Sequence, residues 1–308
     1  MFNVPVLLVI YNKVVETHNL FQIIKSIQPS KLYVAADGAV RDEKLDYVTC
    51  LRTRSVIMPE WPCNLNLMFK EEHLGKSKMI FQAINWFFEN EEEGIILFDD
   101  CIPREDFFYY CEQLLEKYRD SDQIFHIGAN NFQKRDTKRN KKRNKRGDGS
   151  YYFSAYAHTW GFATWRNKWK GFDLKMLELD GVNFNKLLTN YMKKSKEKMY
   201  WLRRYNILRK HQLNIWEYQY NFHIWHQGGL CIVPNVNLVT NVGFKNRKRR
   251  IRKLMKNTFP ILPISHPEKI IQNKHADHYV FKHVYNRAFI KIFADWINAM
   301  LLGKEIKL

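Results

Sequence analysis

The chain opens on a continuous apolar block, VPVLLVIY at residues 4–11, which predicts a strand buried on both faces. Residues 16–28 then switch to helical spacing, with Leu20, Ile23, Ile24 and Ile27 on one face, and Pro29 stops the helix. KLYVAA at 31–36 predicts a second strand, ended by the turn pair Asp37-Gly38. Strand, helix, strand is the pattern of a parallel sheet with crossover helices. It continues with a helix over 41–50, a strand over 54–58 and a helix over 76–90 that carries Met79, Ile80, Ala83, Trp86 and Phe87. The short apolar run at 95–98 predicts a central strand, which ends on Asp99-Asp100. Pro103 is expected to start the next helix, which runs to about Tyr118, and residues 123–128 form another strand.

Beyond residue 132 the texture changes. Residues 133–150 are polar and basic, which predicts a solvated loop. Residues 151–170 are dense in aromatic rings, and Trp160, Trp165 and Trp169 recur at a spacing that fits one helix face. The end of the chain, 268–308, carries Phe289, Phe293, Trp296, Met300 and Leu301 on one face of an expected helix. The domain reading is one domain with halves at 1–130 and 151–250, followed by a basic and helical tail at 251–308.

Composition alters this picture in one respect. Lys and Arg number 50 against 31 Asp and Glu, a formal charge of +19. The run KRNKKRNKR at 138–146 and the run KNRKRRIRKLMK at 245–256 supply most of that excess. Charge this localised fits a contact with an anionic membrane or ligand, and it leaves the fold itself free of any nucleic-acid motif. The five cysteines have no Cys-x-x-Cys spacing, so a zinc site and a disulfide framework are both disfavoured and a cytoplasmic setting is expected. No apolar run reaches the length of a membrane span.

Candidate chemistry starts at Asp99-Asp100. Two carboxylates at the carboxyl end of a parallel strand suit a hard divalent cation, Mn or Mg, completed by water and substrate phosphate. The bland reading is that the pair caps the helix expected at Pro103. Glu217, in Trp216-Glu217-Tyr218-Gln219, is a carboxylate able to take a proton, or a solvated helix glutamate. His158, His223 and His226 are weaker candidates for a base, since nothing in the pattern positions them.

Four ordered segments carry a resemblance: NWFFENEEEGIILFDDCIPREDF at 85–107, SAYAHTWGFATWRNKWKGFD at 154–173, WEYQ followed by GGLCIVPNVNLVTNVGF, and PISHPEK. Together with PVLLVIYNK and YVAADG they resemble bacterial nucleotide-diphosphosugar transferases of the hemolytic-protein-like family. They are more distantly similar to the inverting Golgi N-acetylglucosaminyltransferase of complex N-glycan synthesis. The resemblance implies an α/β fold of the GT-A (Rossmann-like) type, an αβα sandwich with a mixed, mostly parallel sheet. It also implies transfer of a sugar from a nucleoside diphosphate to a glycan or glycolipid acceptor, with inversion. Asp100 would hold the metal, and Asp99 would lie beside the ribose or the metal's water shell. Tyr11, Asn12, Lys13, Asp37, Gly75 and Lys76 would border the nucleotide. Trp160 and Gly161 would line the acceptor side, and Glu217 would be the base. One departure stands out: the family's Glu before the two aspartates is Phe98 here, and phenylalanine accepts no hydroxyl hydrogen bond. Two other readings remain at this stage, a nucleotide-sugar-binding protein with weak catalysis and a basic nucleic-acid-binding protein.

Overall fold

A computed structural model describes residues 1–133, 149–244 and 261–286. The basic runs 138–146 and 245–256, most of the loop 133–150 and the apolar helix expected toward residue 308 lie outside the described residues.

In chain order the first half contains β1 (Val6–Ile10), α1 (Val14–Ile27), β2 (Lys31–Ala36), α2 (Lys44–Ser55), β3 (Asn64–Phe69), α3 (Lys76–Asn90), β4 (Glu93–Phe98), β5 (Cys101–Pro103), α4 (Glu105–Tyr118) and β6 (Ile124–Gly128). The second half contains β7 (Tyr151–Ser154), β8 (Phe162–Trp165), α5 (Arg166–Trp169), α6 (Phe184–Tyr191), α7 (Ser195–His211), α8 (Trp216–His226), β9 (Leu230–Pro234) and β10 (Val239–Asn241). A further helix covers Lys274–Val280 and is continued by a π-helical turn at Phe281–Tyr285.

Eight strands form one sheet in the order β3-β2-β1-β4-β8-β6-β9-β7. The first four run parallel, with β1 paired to both β2 and β4. β8 is antiparallel to β4 and to β6, and β7 is antiparallel to β9. The fold is therefore α/β, with a mixed and mostly parallel sheet. A single sheet thus takes strands from residue 6 to residue 234.

Alternation along each strand sends side chains to two cores. Val6, Leu8 and Ile10 join Leu20 and Ile24 of α1 and Phe107 and Leu114 of α4 on one face. Leu7 and Val9 join Ile80 and Phe87 of α3 and Tyr220 of α8 on the other. Each such side chain, fully buried, contributes about 1.5–3 kcal/mol. A third core is largely aromatic and packs α6, α7 and α8 around Trp201, Phe222 and Trp225. No helix among the described residues is long and apolar enough to cross a membrane.

Three sequence expectations change. Residues 54–58 are not a strand: α2 runs on to Ser55, and the strand is β3. Pro103 does not start a helix; it ends β5, and α4 begins at Glu105. Trp160, Trp165 and Trp169 do not share a helix face, because Phe162–Trp165 is a strand and only Arg166–Trp169 is helical.

Candidate functional site

The carboxyl ends of β1, β2 and β4 lie side by side, and each is followed at once by a polar residue. Tyr11 follows β1, Asp37 follows β2 and Asp99 follows β4. In a parallel sheet this edge is where ligands bind. A cavity of about 590 Å³ opens there.

The acid pair forms its centre. The second oxygen of Asp99, Oδ2, accepts the backbone N–H of Tyr11 at 3.1 Å, which ties the ends of β4 and β1 together. The ammonium of Lys13 donates to Asp99 Oδ1 at 2.9 Å and to Asp100 Oδ2 at 3.1 Å. Asp100 Oδ1 accepts from Asn241 Nδ2 at 3.2 Å and from the Cys101 thiol at 3.4 Å. Asn241 reaches Asp100 because β10 pairs antiparallel with β5, setting Asn241 opposite Cys101. Burial raises the pKa of Asp99 above the usual carboxylate value, against the opposing pull of Lys13. Burial alone would lower Lys13, but the two carboxylates outweigh it and raise its pKa. The pair does not cap a helix, since β5 separates it from α4.

These carboxylates fit a divalent cation in their donor chemistry. Two hard oxygens from two residues already face one positive group, the Lys13 ammonium. Among the described residues no cluster of three or more His, Cys, Asp or Glu exists, so the remaining ligands would be water and phosphate oxygens.

The residues expected to border a nucleotide divide into two groups. Tyr11, Lys13, Asp37 and Lys76 line the cavity. Asn12 and Gly75 do not line it; they hold its rim. The Asn12 amide donates to Asp46 Oδ1 at 2.6 Å. Gly75 has φ 79°, a left-handed conformation that glycine adopts freely, and it stands at the N-terminus of α3. Its N–H donates to Asp37 Oδ2 at 3.0 Å, while the N–H of Leu74 donates to Asp37 Oδ1 at 2.8 Å. Asp37 is thus the clamp of the turn before α3. Tyr11 in turn donates its hydroxyl to Asp46 at 2.5 Å, and burial together with that carboxylate raises its pKa well above the phenol value.

Glu217, in the first turn of α8, also lines the cavity. Its carboxylate meets the Lys76 ammonium at 2.5 Å, an ion pair joining the N-termini of α8 and α3. Ser77 accepts from the Trp216 N–H at 3.4 Å and donates to the Asn214 carbonyl at 2.7 Å, fixing the same junction. Trp160 lines the cavity and packs edge-on against Phe132. Gly161 does not line it; with φ 80° it turns the chain into β8, where a side chain would press on Leu97. Phe98 forms part of an apolar wall with Met79, Ile80 and Trp216.

The histidines considered as bases lie elsewhere. His158 Nδ1 donates to the Asn130 carbonyl oxygen at 2.8 Å, and burial lowers the His158 pKa to about 4. His223 is held between Glu178 and the Lys168 carbonyl. A different histidine reaches the cavity: His73 lies 3.1 Å from Asp37 and stacks at 5.1 Å, tilted, on Tyr11. Sequence reasoning passed over His73, Asn241 and Gly243. The last two fall inside the closing segment NVNLVTNVGF, which was the available signal.

No protein-family model matches the chain, and no curated protein does. Solved structures match it at low scores. A mannosyltransferase from Pyrobaculum calidifontis, solved with GDP-Man and Mn2+, aligns at 12% identity and TM-score 0.38 over 68% of this chain and 63% of its own. This chain therefore spans under two thirds of that structure. TarS of S. aureus aligns at 12% identity and TM-score 0.41, covering 96% of this chain and 78% of its own. A cytidylyltransferase from Leptospira borgpetersenii aligns at 11% identity and TM-score 0.34, over 70% and 74%. At such scores the chemistry has to be read from the cavity itself.

Proposed function

We propose that this chain is a glycosyltransferase that moves a sugar from a nucleoside-diphosphate sugar to a hydroxyl of a glycan or glycolipid acceptor. The observation that carries this reading is one cavity lined both by an acid pair at the end of β4 and by a third carboxylate, Glu217. The sequence resemblance supports the same assignment of roles.

In this reading the donor diphosphate lies at the N-terminus of α1, where free backbone N–H groups favour an anion. Asp100, with Asp99 beside it, would hold a divalent cation, Mn or Mg, whose chemistry is to neutralise the diphosphate as the glycosidic bond breaks. Tyr11 and His73 flank the nucleoside, and Asp37 keeps their loop in place. Trp160 offers a flat apolar face to the acceptor. Glu217 accepts the proton of the acceptor hydroxyl. The acceptor oxygen bonds to the anomeric carbon, the bond from that carbon to the phosphate oxygen breaks, and its electron pair leaves with the diphosphate. Attack from the face opposite the leaving group inverts the anomeric centre.

Glu217→Gln tests the base. Turnover should fall by about 10²- to 10⁴-fold while the donor dissociation constant hardly moves, because the base meets the acceptor and not the nucleotide. A loss below about threefold, or a product of retained configuration by NMR, would remove Glu217 from this role.

A further inference from the structure

The two carboxylates of the cation site already hold a cation supplied by the chain itself. Lys13 reaches both at once, with Nζ 2.9 Å from Asp99 Oδ1 and 3.1 Å from Asp100 Oδ2. The other oxygen of each residue is engaged elsewhere, Asp99 Oδ2 by the Tyr11 N–H and Asp100 Oδ1 by Asn241 and the Cys101 thiol. A divalent cation and the Lys13 ammonium therefore address the same two oxygens.

The charge balance makes their competition unequal. With Lys13 in place the pair keeps one net negative charge; a divalent cation would cancel both. Lys13 has somewhere to go. It is the residue immediately before the 14-residue helix α1, its side chain is about a third exposed, and it lines the cavity. An ammonium freed there lies beside the position that an anionic diphosphate takes.

We infer that Lys13 is a displaceable internal cation: it holds the Asp99–Asp100 pair until a divalent metal takes its place, and it then moves to the donor diphosphate. The inference rests on the cation site proposed above. It makes metal and donor binding mutually reinforcing. Metal releases the lysine, the diphosphate captures it, and each ligand lowers the cost of the other by the same factor. It also gives the empty site a way to avoid two unneutralised carboxylates.

The test is Mn2+ binding, measured directly by titration of the free ion's paramagnetic signal, with and without a nucleoside diphosphate. In Lys13→Met without nucleotide, Mn2+ should bind more tightly than in the wild type by roughly tenfold, the scale set by one unit charge a few ångströms away in a partly buried site. Nucleotide should tighten Mn2+ binding to the wild type by a factor in the range of about 5 to 150, and by clearly less in Lys13→Met. Lys13→Arg, which restores the charge, should return Mn2+ affinity toward the wild-type value and serves as the control for folding. Unchanged or weaker Mn2+ binding in Lys13→Met, or a coupling factor equal in both proteins, overturns the inference. Tighter Mn2+ binding in Lys13→Met without any nucleotide effect in either protein would uphold the competition, remove the diphosphate step and count against the donor reading instead.

Discussion

Single side chains decide how the cavity is used, and two of them give separable predictions. Phe98 stands where the resembling family has a glutamate, and it packs against Trp216 with ring centroids 5.9 Å apart. In the proposed function, an apolar wall there would favour a donor sugar that presents little hydrogen-bonding demand on that side. Phe98→Glu should therefore change the ranking of nucleotide sugars in a binding panel; an unaltered ranking with the fold intact would speak against a role in donor choice. Gly243 sits against the acid pair, and a Cβ built on it would lie 2.5 Å from Asp100 Oδ2. Gly243→Ala should push the Asp100 carboxylate aside and weaken Mn2+ binding. Equal Mn2+ binding would show that Asp100 has room to spare. At this scale the sequence was informative where a residue type carried its own chemistry. Asp99, Asp100, Lys13, Lys76 and Glu217 share the cavity. His73 was not visible, because its place depends on the Asp37 clamp, which only the folded turn creates.

Elements were legible where burial leaves a continuous apolar run. β1, β2 and β4 are such runs, and α1 and α3 carry clear helical stripes. β3 was missed because it is the edge strand, and Asn64, Leu67 and Phe69 are exposed, so no buried pattern marks it. The N-terminus of α2 was misplaced for a related reason. Its inward residues are Asp46, Cys50 and Thr53, while Leu45, Tyr47, Val48 and Leu51 face outward, the reverse of an ordinary amphipathic helix. Asp46 explains the inversion. It accepts from the Tyr11 hydroxyl, the Asn12 amide and the Val40 N–H, so a polar side chain at the inner face ties α2 to the rim of the crevice. Burial would raise the Asp46 pKa, but those three donors prevail and lower it. Asp46→Ala should cost about 1–3 kcal/mol of stability, the scale for leaving polar partners unsatisfied. It should also loosen the Tyr11–Lys13 loop, read as faster amide exchange there. Unaltered exchange would mean that α2 does not hold the rim.

For the molecule as a whole, acid sensitivity follows from buried histidines. Burial lowers His126 to about 3 and His158 to about 4, from 6.5. The native state keeps both rings neutral while the unfolded chain protonates them, so their stabilisation is present above about 6.5 and is lost as pH falls toward about 4. Asp277 works in the opposite sense. Burial raises it to about 6, so the native state binds its proton first and gains stability as pH falls from there toward 3.8. Burial raises Asp99 and Glu197 in the same sense, but the two histidines of the unfolded chain begin to protonate at about 6.5, above Asp277, so the denaturation midpoint in urea should drop between about pH 7 and pH 6. His126→Gln should flatten that dependence; an equal slope would place the acid sensitivity elsewhere. The account as a whole stands on the acid pair serving a nucleotide-sugar donor. Thermal stabilisation by a panel of nucleotide sugars, with and without Mn2+, in the wild type and in Asp100→Asn, tests it most directly. One nucleotide sugar should stabilise the wild type in the presence of Mn2+, by about 2.7 kcal/mol at a hundredfold excess over its dissociation constant. That gain should vanish in Asp100→Asn, with the unliganded midpoint preserved. Stabilisation by no nucleotide sugar, or equal stabilisation of the Asp100→Asn protein, would contradict the account.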